Sequence, residues 1–441
     1  MKNKRRAPRF APGSVSALLE EGMGAQRRGD LEGAARAYQR VLTREPKNPD
    51  ALHLSGVVAR QRGDLPLAVR LIREAIDRAP DVAVYHANLG RALDEAGDAD
   101  GCIAALQRAV ELDPSLALAV YNLALAYESK GELHAAAEHY AWAADGDDGV
   151  PEAAFNLGNL ESSRGRVDEA IAAYERAITL RPGYTRALAN LGYALQKAGR
   201  FEDAAGAYRA ILEVEPNDPE AQHMVAALTG EARGRADAEY VARFFDDYAA
   251  RFEAVLVGEL SYDTPAAIAE AVRRNAPEGA RFARALDLGC GTGLAGRAIR
   301  PLCDELVGVD LSPNMLDKAR EGGGYDALHA ADLIGFLSAR QDLFDLFVAS
   351  DVLNYLGDLD ETFALVAARS RPGAPFVFST EAADGGAFQL DRTGRFQHGR
   401  AYVEEVAARH GFRVESCDDK TLRKERGQPV HGHLFVLRAP G

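Results

Sequence analysis

The chain has few cysteines, a single tryptophan, no long apolar run and no surplus of positive charge. Its four cysteines, Cys102, Cys290, Cys303 and Cys417, are scattered over 441 residues and form no CxxC pair or Cys/His cluster. That argues against a disulfide framework and offers no metal site. It suits a reducing, cytoplasmic compartment. No stretch approaches the ~18–20 apolar residues that a membrane span requires. Met1-Lys2-Asn3-Lys4-Arg5-Arg6 is basic, but Ala7-Pro8-Arg9-Phe10-Ala11-Pro12-Gly13 follows where a secretory signal would carry its apolar core. Residues 1–14 therefore read as a disordered basic tail. Lys and Arg number 52 against 66 Asp and Glu, a net charge of −14. A duplex binder needs a basic footprint to displace counterions, so this balance, with no Lys/Arg-rich strip, argues against nucleic acid. The length calls for two or more domains.

What is present is a period. Gly29, Gly63, Gly97, Gly131, Gly165 and Gly199 each follow the last by 34 residues. That spacing marks a helix–turn–helix solenoid, and each glycine fits a left-handed helix end. Small residues recur in register at Gly22, Gly56, Gly90, Ala124, Gly158 and Gly192, and again at Ala34, Ala68, Cys102, Ala136, Ala170 and Ala204. Bulky residues follow the second set by one turn, at Tyr38, Ile72, Leu106, Tyr140, Tyr174 and Tyr208, and are expected to fill the seam between neighbouring repeats. Pro46, Pro80, Pro114, Pro182 and Pro216 stop the second helices. The missing proline falls at Asp148, within a Gly/Asp-rich stretch that can break a helix by other means. The array resembles tetratricopeptide (TPR) repeats: six of them plus a capping helix over 15–229. In TPR proteins the first helix of each repeat lines a concave groove. The resemblance therefore implies a protein or peptide partner, with Asn88, Asn122, Asn156 and Asn190 as a ladder of amide donors and acceptors on those first helices.

After a short linker, 230–238, the pattern changes. Over 239–441 short apolar runs alternate with helical stretches: Ala285–Leu288, Leu306–Val309, Phe344–Ala349, Phe376–Ser379 and Leu434–Leu437. This predicts a doubly wound, mostly parallel α/β sheet, with ligands bound beyond the carboxyl ends of its strands. The first strand runs into Asp287-Leu288-Gly289-Cys290-Gly291-Thr292-Gly293-Leu294-Ala295-Gly296, and the second ends in Asp310. Gly291-x-Gly293-x-x-Gly296 followed by Asp310 formally satisfies a dinucleotide fingerprint. Asp287, however, stands where such sites usually have an apolar residue, and a carboxylate there suits a ligand carrying an ammonium group. Asp310 can accept from both hydroxyls of an adenosine ribose.

The whole string resembles a class I, Rossmann-like S-adenosylmethionine (SAM)-dependent methyltransferase. Phe245-Asp246-Asp247-Tyr248-Ala249-x-Arg251-Phe252 and Gly394-Arg395-Phe396-Gln397-His398 narrow the resemblance to a bacterial family in which TPR repeats precede a methyltransferase. That family usually has tyrosine where Phe396 stands. The resemblance implies SAM as cofactor. Asp287, Gly289, Cys290, Gly291 and Gly293 would hold its methionine end and Asp310 its ribose. Asp332 and the Leu333 backbone would meet the adenine, and Leu311, Ser350 and Tyr248 would complete the cofactor site. Ser350-Asp351-Val352-Leu353-Asn354-Tyr355 would floor the transfer site, with His398 the first candidate for a general base and Asp351 the second. His431 and His433 look like a metal pair, but no third ligand is within sequence reach.

Three functions compete. One is a methyltransferase whose TPR half recruits a protein, the acceptor being protein-borne or a small molecule. Another is a TPR adaptor whose methyltransferase-like domain binds SAM without important chemistry. The third is a dinucleotide-dependent oxidoreductase, for which no Tyr-x-x-x-Lys or comparable set follows Asp310.

Overall fold

The computed structural model describes residues 13–231, 233–249, 262–277, 279–425 and 428–441. Most of the basic tail, and Arg251 and Phe252 of the upstream motif, lie outside them. The chain divides into two compact units, Met1–Ala198 and Gly199–Gly441.

In the first unit helices of 13 and mostly 14 residues alternate. They are α1 (Val15–Arg27), α2 (Leu31–Arg44), α3 (Pro49–Gln61), α4 (Leu65–Arg78), α5 (Ala83–Glu95), α6 (Ala99–Leu112), α7 (Ala117–Ser129), α8 (Leu133–Ala143), α9 (Pro151–Ser163), α10 (Val167–Leu180) and α11 (Thr185–Lys197). The periodic glycines lie between first and second helices at φ of 76° to 81°, a left-handed conformation that costs glycine no Cβ clash. In the first three repeats an aspartate follows each glycine and caps the next helix. Asp30 accepts from Gly33 N–H (2.7 Å), Asp64 from Leu67 N–H (3.1 Å) and Asp98 from Gly101 N–H (2.9 Å). Where the proline is missing, α8 stops at Ala143 and the turn runs to Pro151.

Four of the bulky residues press on the small residue of their own repeat, and Tyr38 also packs with Leu54 and Val58 of the next one, as expected of the seam. A Cβ on Gly56 would come within 2.6 Å of Ile72, and one on Gly90 within 2.6 Å of Leu106, while methyl groups on Gly22 and Gly158 would overlap Tyr38 and Tyr174. The glycine is small because the opposing side chain enters the space between paired helices.

The second unit opens with α12 (Phe201–Val214), α13 (Pro219–Thr229) and α14 (Ala238–Tyr248). Beyond α15 (Thr264–Arg274) come β1 (Phe282–Leu288), α16 (Leu294–Ile299), β2 (Cys303–Asp310), α17 (Pro313–Gly322), β3 (Ala327–Ala330), α18 (Leu333–Ala339) and β4 (Leu346–Ala349). They are followed by α19 (Asp360–Arg369), β5 (Pro375–Ala382), β6 (Phe388–Leu390), β7 (Phe396–His398), α20 (Arg400–Arg409), β8 (Arg413–Glu425) and β9 (Gln428–Arg438). Among the described residues the strands form one sheet with the path β3-β2-β1-β4-β5-β7-β6. β3, β2, β1, β4 and β5 are parallel, and β9 joins β5 antiparallel and pairs with β8. Alternate residues serve opposite faces. Leu286, Leu288, Val307, Val309, Phe347 and Phe376 pack with Phe363 of α19 and Val403 of α20. Ala285, Leu306, Leu346, Val348 and Val377 pack with Ile268 and Val272 of α15. Helices thus cover both faces, which places the loops after β1, β2 and β4 on one edge.

The helix expected to cap the repeats, α13, is built into this second unit. His223 is fully buried, its ring stacks on Tyr240 at 4.9 Å, and its Nε2 lies 2.8 Å from the carbonyl of Gly394. Burial holds its pKa below the ordinary histidine value, so the ring is neutral and Nε2–H donates. Residues 230–238 are equally committed: Gly357 and Asp358 N–H donate to Gly234 O, and Ala236 N–H to Tyr355 O. Emptying a buried site and orphaning a carbonyl costs roughly 2–4 kcal/mol. His223→Ala should lower the thermal midpoint of this unit accordingly, and His223→Gln, which keeps an N–H donor, should recover part of the loss. An unchanged midpoint in the alanine variant would show that α13 is not clamped there.

Candidate active site

Three loops meet at the carboxyl edge of the sheet. The first, after β1, holds Gly289, Gly291 and Gly293 at φ of 65°, 54° and 88°. It is tied to β2: Cys290 N–H donates to Val309 O (3.0 Å) and Gly291 N–H to Asp310 Oδ2 (2.9 Å). The other oxygen of Asp310 accepts from Ser312 N–H (2.9 Å). Burial raises the Asp310 carboxyl above its ordinary value while these backbone donors oppose the shift. Cys290 is buried and its thiol is pushed well up by burial, which fits a packing role.

Asp287 is fully buried at the end of β1. Its Oδ2 accepts from the Tyr325 hydroxyl (2.7 Å), and its Oδ1 is buried with no hydrogen-bond partner. Burial pushes its pKa up to about 7, against the pull of the Tyr325 hydroxyl and of the Gly296 backbone N–H. Thr292 Oγ1 is likewise buried and unpartnered. Orphaned acceptors of this kind are costly unless a ligand supplies the missing donors, so the acceptors here fit a ligand that brings an ammonium group.

Asp332 N-caps α18 through Gly335 N–H (2.9 Å), and Leu333 behind it is buried. Leu311 packs with Tyr240 and Phe396. The helix α14 spans this edge. Asp246 accepts from Ser312 Oγ (2.6 Å) and Asn314 N–H (3.2 Å), while Phe245 meets Tyr355 edge-on at 5.3 Å. Tyr248 closes α14, but its side chain lies outside the described residues.

The third loop follows β4. Ser350 Oγ pairs with Tyr262 Oη (2.8 Å). Asp351 is the single non-glycine at positive φ among the described residues, at 54°, a conformation that aspartate adopts at a cost. Its backbone N–H donates to Ser379 Oγ (2.9 Å), which in turn donates to its Oδ1 (2.8 Å). Its Oδ2 pairs with Arg423 of β8 at 3.2 Å. Arg423 is almost fully buried and also binds Glu381 and Glu425, while Arg395 binds Glu425 and approaches Glu381 at 3.9 Å. Asn354 donates to Glu381 (3.3 Å). Burial raises the Asp351 carboxyl, opposed by Arg423 and Ser379.

The structure corrects two expectations. His398 does not present a base to this edge. It is fully buried, its Nε2 lies 2.8 and 3.1 Å from the carbonyls of Leu356 and Gly357, and its Nδ1 is enclosed without a partner. Burial lowers its pKa to about 4. The neutral ring donates to those carbonyls and holds the turn after Asp351 in place. The asparagine ladder is also largely spent inside the solenoid. Asn88 donates to Val84 O (3.0 Å) of its own helix and to His53 Nε2 (2.9 Å), Asn156 to Tyr121 Oη (3.3 Å) and Asn190 to Asn159 Oδ1 (2.8 Å), the last three bonds each tying successive first helices together. Asn122 is half-buried in the equivalent place.

Sequence reasoning missed Tyr325, Arg423, Glu381 and His223. Arg395 stood in a quoted motif without a role. Phe396, the departure from tyrosine, is fully buried against α14, and a Cβ on Gly357 would come within 2.6 Å of its ring. Its setting is apolar.

A parallel sheet with one antiparallel strand beside β5, an acid ending β1, a left-handed glycine loop and an acid ending β2 define a class I methyltransferase domain. Residues 260–418 match the model of a methyltransferase domain family. Tetratricopeptide repeat models match 19–83, 121–185 and 161–228, and a TPR repeat model matches 90–131. Nodulation protein S of Rhizobium tropici is 32% identical over 104 residues, 22% of this chain and 43% of that protein. Ubiquinone biosynthesis O-methyltransferase of Aromatoleum aromaticum is 32% identical over 101 residues, again 22% and 43%. The solved structure of an S-adenosylmethionine dependent methyltransferase from Mesorhizobium loti is 26% identical, covering 38% of this chain and 96% of that one at a TM-score of 0.31. The chain thus spans about two-fifths of the length of these curated relatives. It joins TPR repeats to a methyltransferase domain, which is what the methyltransferase reading expects and the oxidoreductase reading does not. No described helix is long and apolar enough to cross a membrane.

Proposed function

We propose that this chain transfers the methyl group of SAM to an acceptor presented by a protein that its TPR half holds. The observation that carries the donor side is the unpartnered, fully buried oxygen of Asp287 beside the left-handed glycine loop. Asp287 and the Gly289, Cys290, Gly291 and Gly293 backbone would hold the methionine portion, Asp310 the ribose, and Asp332 with the Leu333 N–H the adenine. Leu311, Ser350 and Tyr248 would complete the same site. When bound, SAM supplies a methyl group activated by a sulfonium, so the protein's contribution is chiefly position and electrostatics. Asp351, raised by burial and fixed by Ser379 and Arg423, is the remaining candidate to receive a proton from an oxygen or nitrogen acceptor.

Exposed apolar side chains on first helices support the partner side. Val84 and Leu118 are 34 residues apart and 45% and 67% exposed, and Leu125 and Tyr193 are 68 apart and 37% and 52% exposed. Exposed apolar positions that recur in repeat register suit an extended peptide, with Asn159 standing between Leu125 and Tyr193. The test is incubation with methyl-labelled SAM and an extract of the source cells. Label should enter a protein-bound fraction and fall about 10-fold in the Leu118→Lys/Tyr193→Ala variant, with SAM affinity unchanged. Label confined to small molecules, indifferent to that variant, would overturn recruitment by the repeats.

A further inference from the structure

Gly293 and Gly296 of the glycine string, and Gly308 in β2, leave room for a tyrosine. A Cβ on Gly296 would overlap the Tyr325 hydroxyl, one on Gly308 would lie 2.8 Å from Tyr325 Cε1, and one on Gly293 3.0 Å from Cε2. The ring occupies a slot formed by the start of α16, the middle of β2 and the glycine loop. Its neighbour fixes the approach: Asp326 Oδ2 accepts from Leu306 N–H (2.7 Å), Asp326 N–H donates to Leu306 O (2.9 Å), and Arg300 pairs with the same carboxylate at 2.5 Å. Tyr325 is thereby held from both sides with its hydroxyl on Asp287 Oδ2 at 2.7 Å.

The consequence is asymmetric. One oxygen of Asp287 has a donor and the other has none, though both are enclosed. The remaining titratable groups around Asp287 do not stabilise its charge. Asp310 on β2, Cys290 in the glycine loop, Tyr262 ahead of α15 and Cys303 at the start of β2 are acidic or neutral, and the cation of this cluster, Arg297 on α16, acts on Tyr325. Burial keeps the Tyr325 hydroxyl protonated far above its ordinary range, so it remains a donor.

We propose that Tyr325 is a positioning residue of the donor site. By donating to one oxygen of Asp287 it favours the ionised carboxylate and leaves the other oxygen to meet the ammonium of the methionine portion. This rests on the reading of Asp287 given above. The third glycine of the dinucleotide-like string, Gly296, then exists for Tyr325 and not for a pyrophosphate.

The test is calorimetric titration of the full chain with S-adenosylhomocysteine, which carries the same ammonium and no transferable methyl, between pH 6 and 9. Tyr325→Phe keeps the ring in its slot and removes only the donor. At pH 7 the variant should bind about 10-fold more weakly than wild type, because Asp287 is then largely protonated. The ratio of the two affinities cancels ionisation of the ligand, and it should close towards unity by pH 9 as Asp287 ionises without help. A ratio that is constant across the series, or equal to one throughout, overturns the proposal. Asp287→Asn separates the two readings: it should bind weakly at every pH. If it binds like wild type, the assignment of Asp287 itself is wrong.

Discussion

Asp310→Ala is expected to reduce SAM affinity by about 100-fold or more at neutral pH. Asp310 does two things in this structure. It is the acid at the end of β2 that can accept from two ribose hydroxyls, and it clamps the loop after β1 through Gly291 N–H while bracing the turn into α17 through Ser312 N–H. Alanine removes both. A hydrogen bond to a charged group contributes about 1.5–3 kcal/mol, and losing two such bonds to the ligand corresponds to roughly two to four decades in affinity. The fold should survive, because Asp310 is a carboxyl that burial already disfavours in its charged form. Calorimetric titration with SAM, beside a thermal unfolding control, measures both. Unchanged affinity in a folded variant would sink the ribose assignment.

Arg423→Met is expected to be the most damaging single change to stability. Arg423 is nearly fully buried and is the common partner of Asp351, Glu381 and Glu425. Methionine fills much of the volume but leaves the buried Glu381 and the partly buried Asp351 and Glu425 with Arg395 as the remaining cation of the cluster. Breaking a buried ion pair by removing one partner costs roughly 3–5 kcal/mol, which in a unit of this size is a fall of about 10 °C in the midpoint. The loss has a sign in pH. Asp351 already has a raised pKa, and removing Arg423 raises it further. Between its unfolded and folded values the folded state holds the extra proton, so stability falls as pH rises through that window. The deficit of the variant should therefore be larger at pH 8 than at pH 5. An equal deficit at both would mean that Arg423 acts by packing alone.

Much of the site was legible because it is local in the chain. The acid, the three left-handed glycines and the second acid occupy strand ends whose apolar runs announce themselves, and each role follows from residue type. The partners of these residues were not legible. Tyr325 reaches Asp287 across 38 positions, and Arg423 reaches Asp351 across 72. Nothing in Arg-Lys-Glu near residue 424 marks a strand, because β8 is largely polar and pairs on one side with β9. Its alternation became visible only with its partner in place. His398 misled for a related reason: residue type suggested a base, whereas burial and two carbonyl neighbours decided its state.

The repeat half makes the same division. Thirty-four-residue register determined the helix pairs, their left-handed joints and the stops, since each is a short-range consequence of glycine, proline and apolar spacing. The sequence by itself also determined an acidic protein with a solenoid ahead of a doubly wound sheet, and it singled out the acids proposed for the donor site. Only the tertiary structure decided that Tyr38, Ile72, Leu106 and Tyr174 press into their own repeats, that the asparagines tie helices together, and that α13 and the segment after it are built into the second unit through His223 and Gly234. Those outcomes depend on which groups are dehydrated together. Burial and hydrogen-bond satisfaction are properties of the packed chain, not of any window along it.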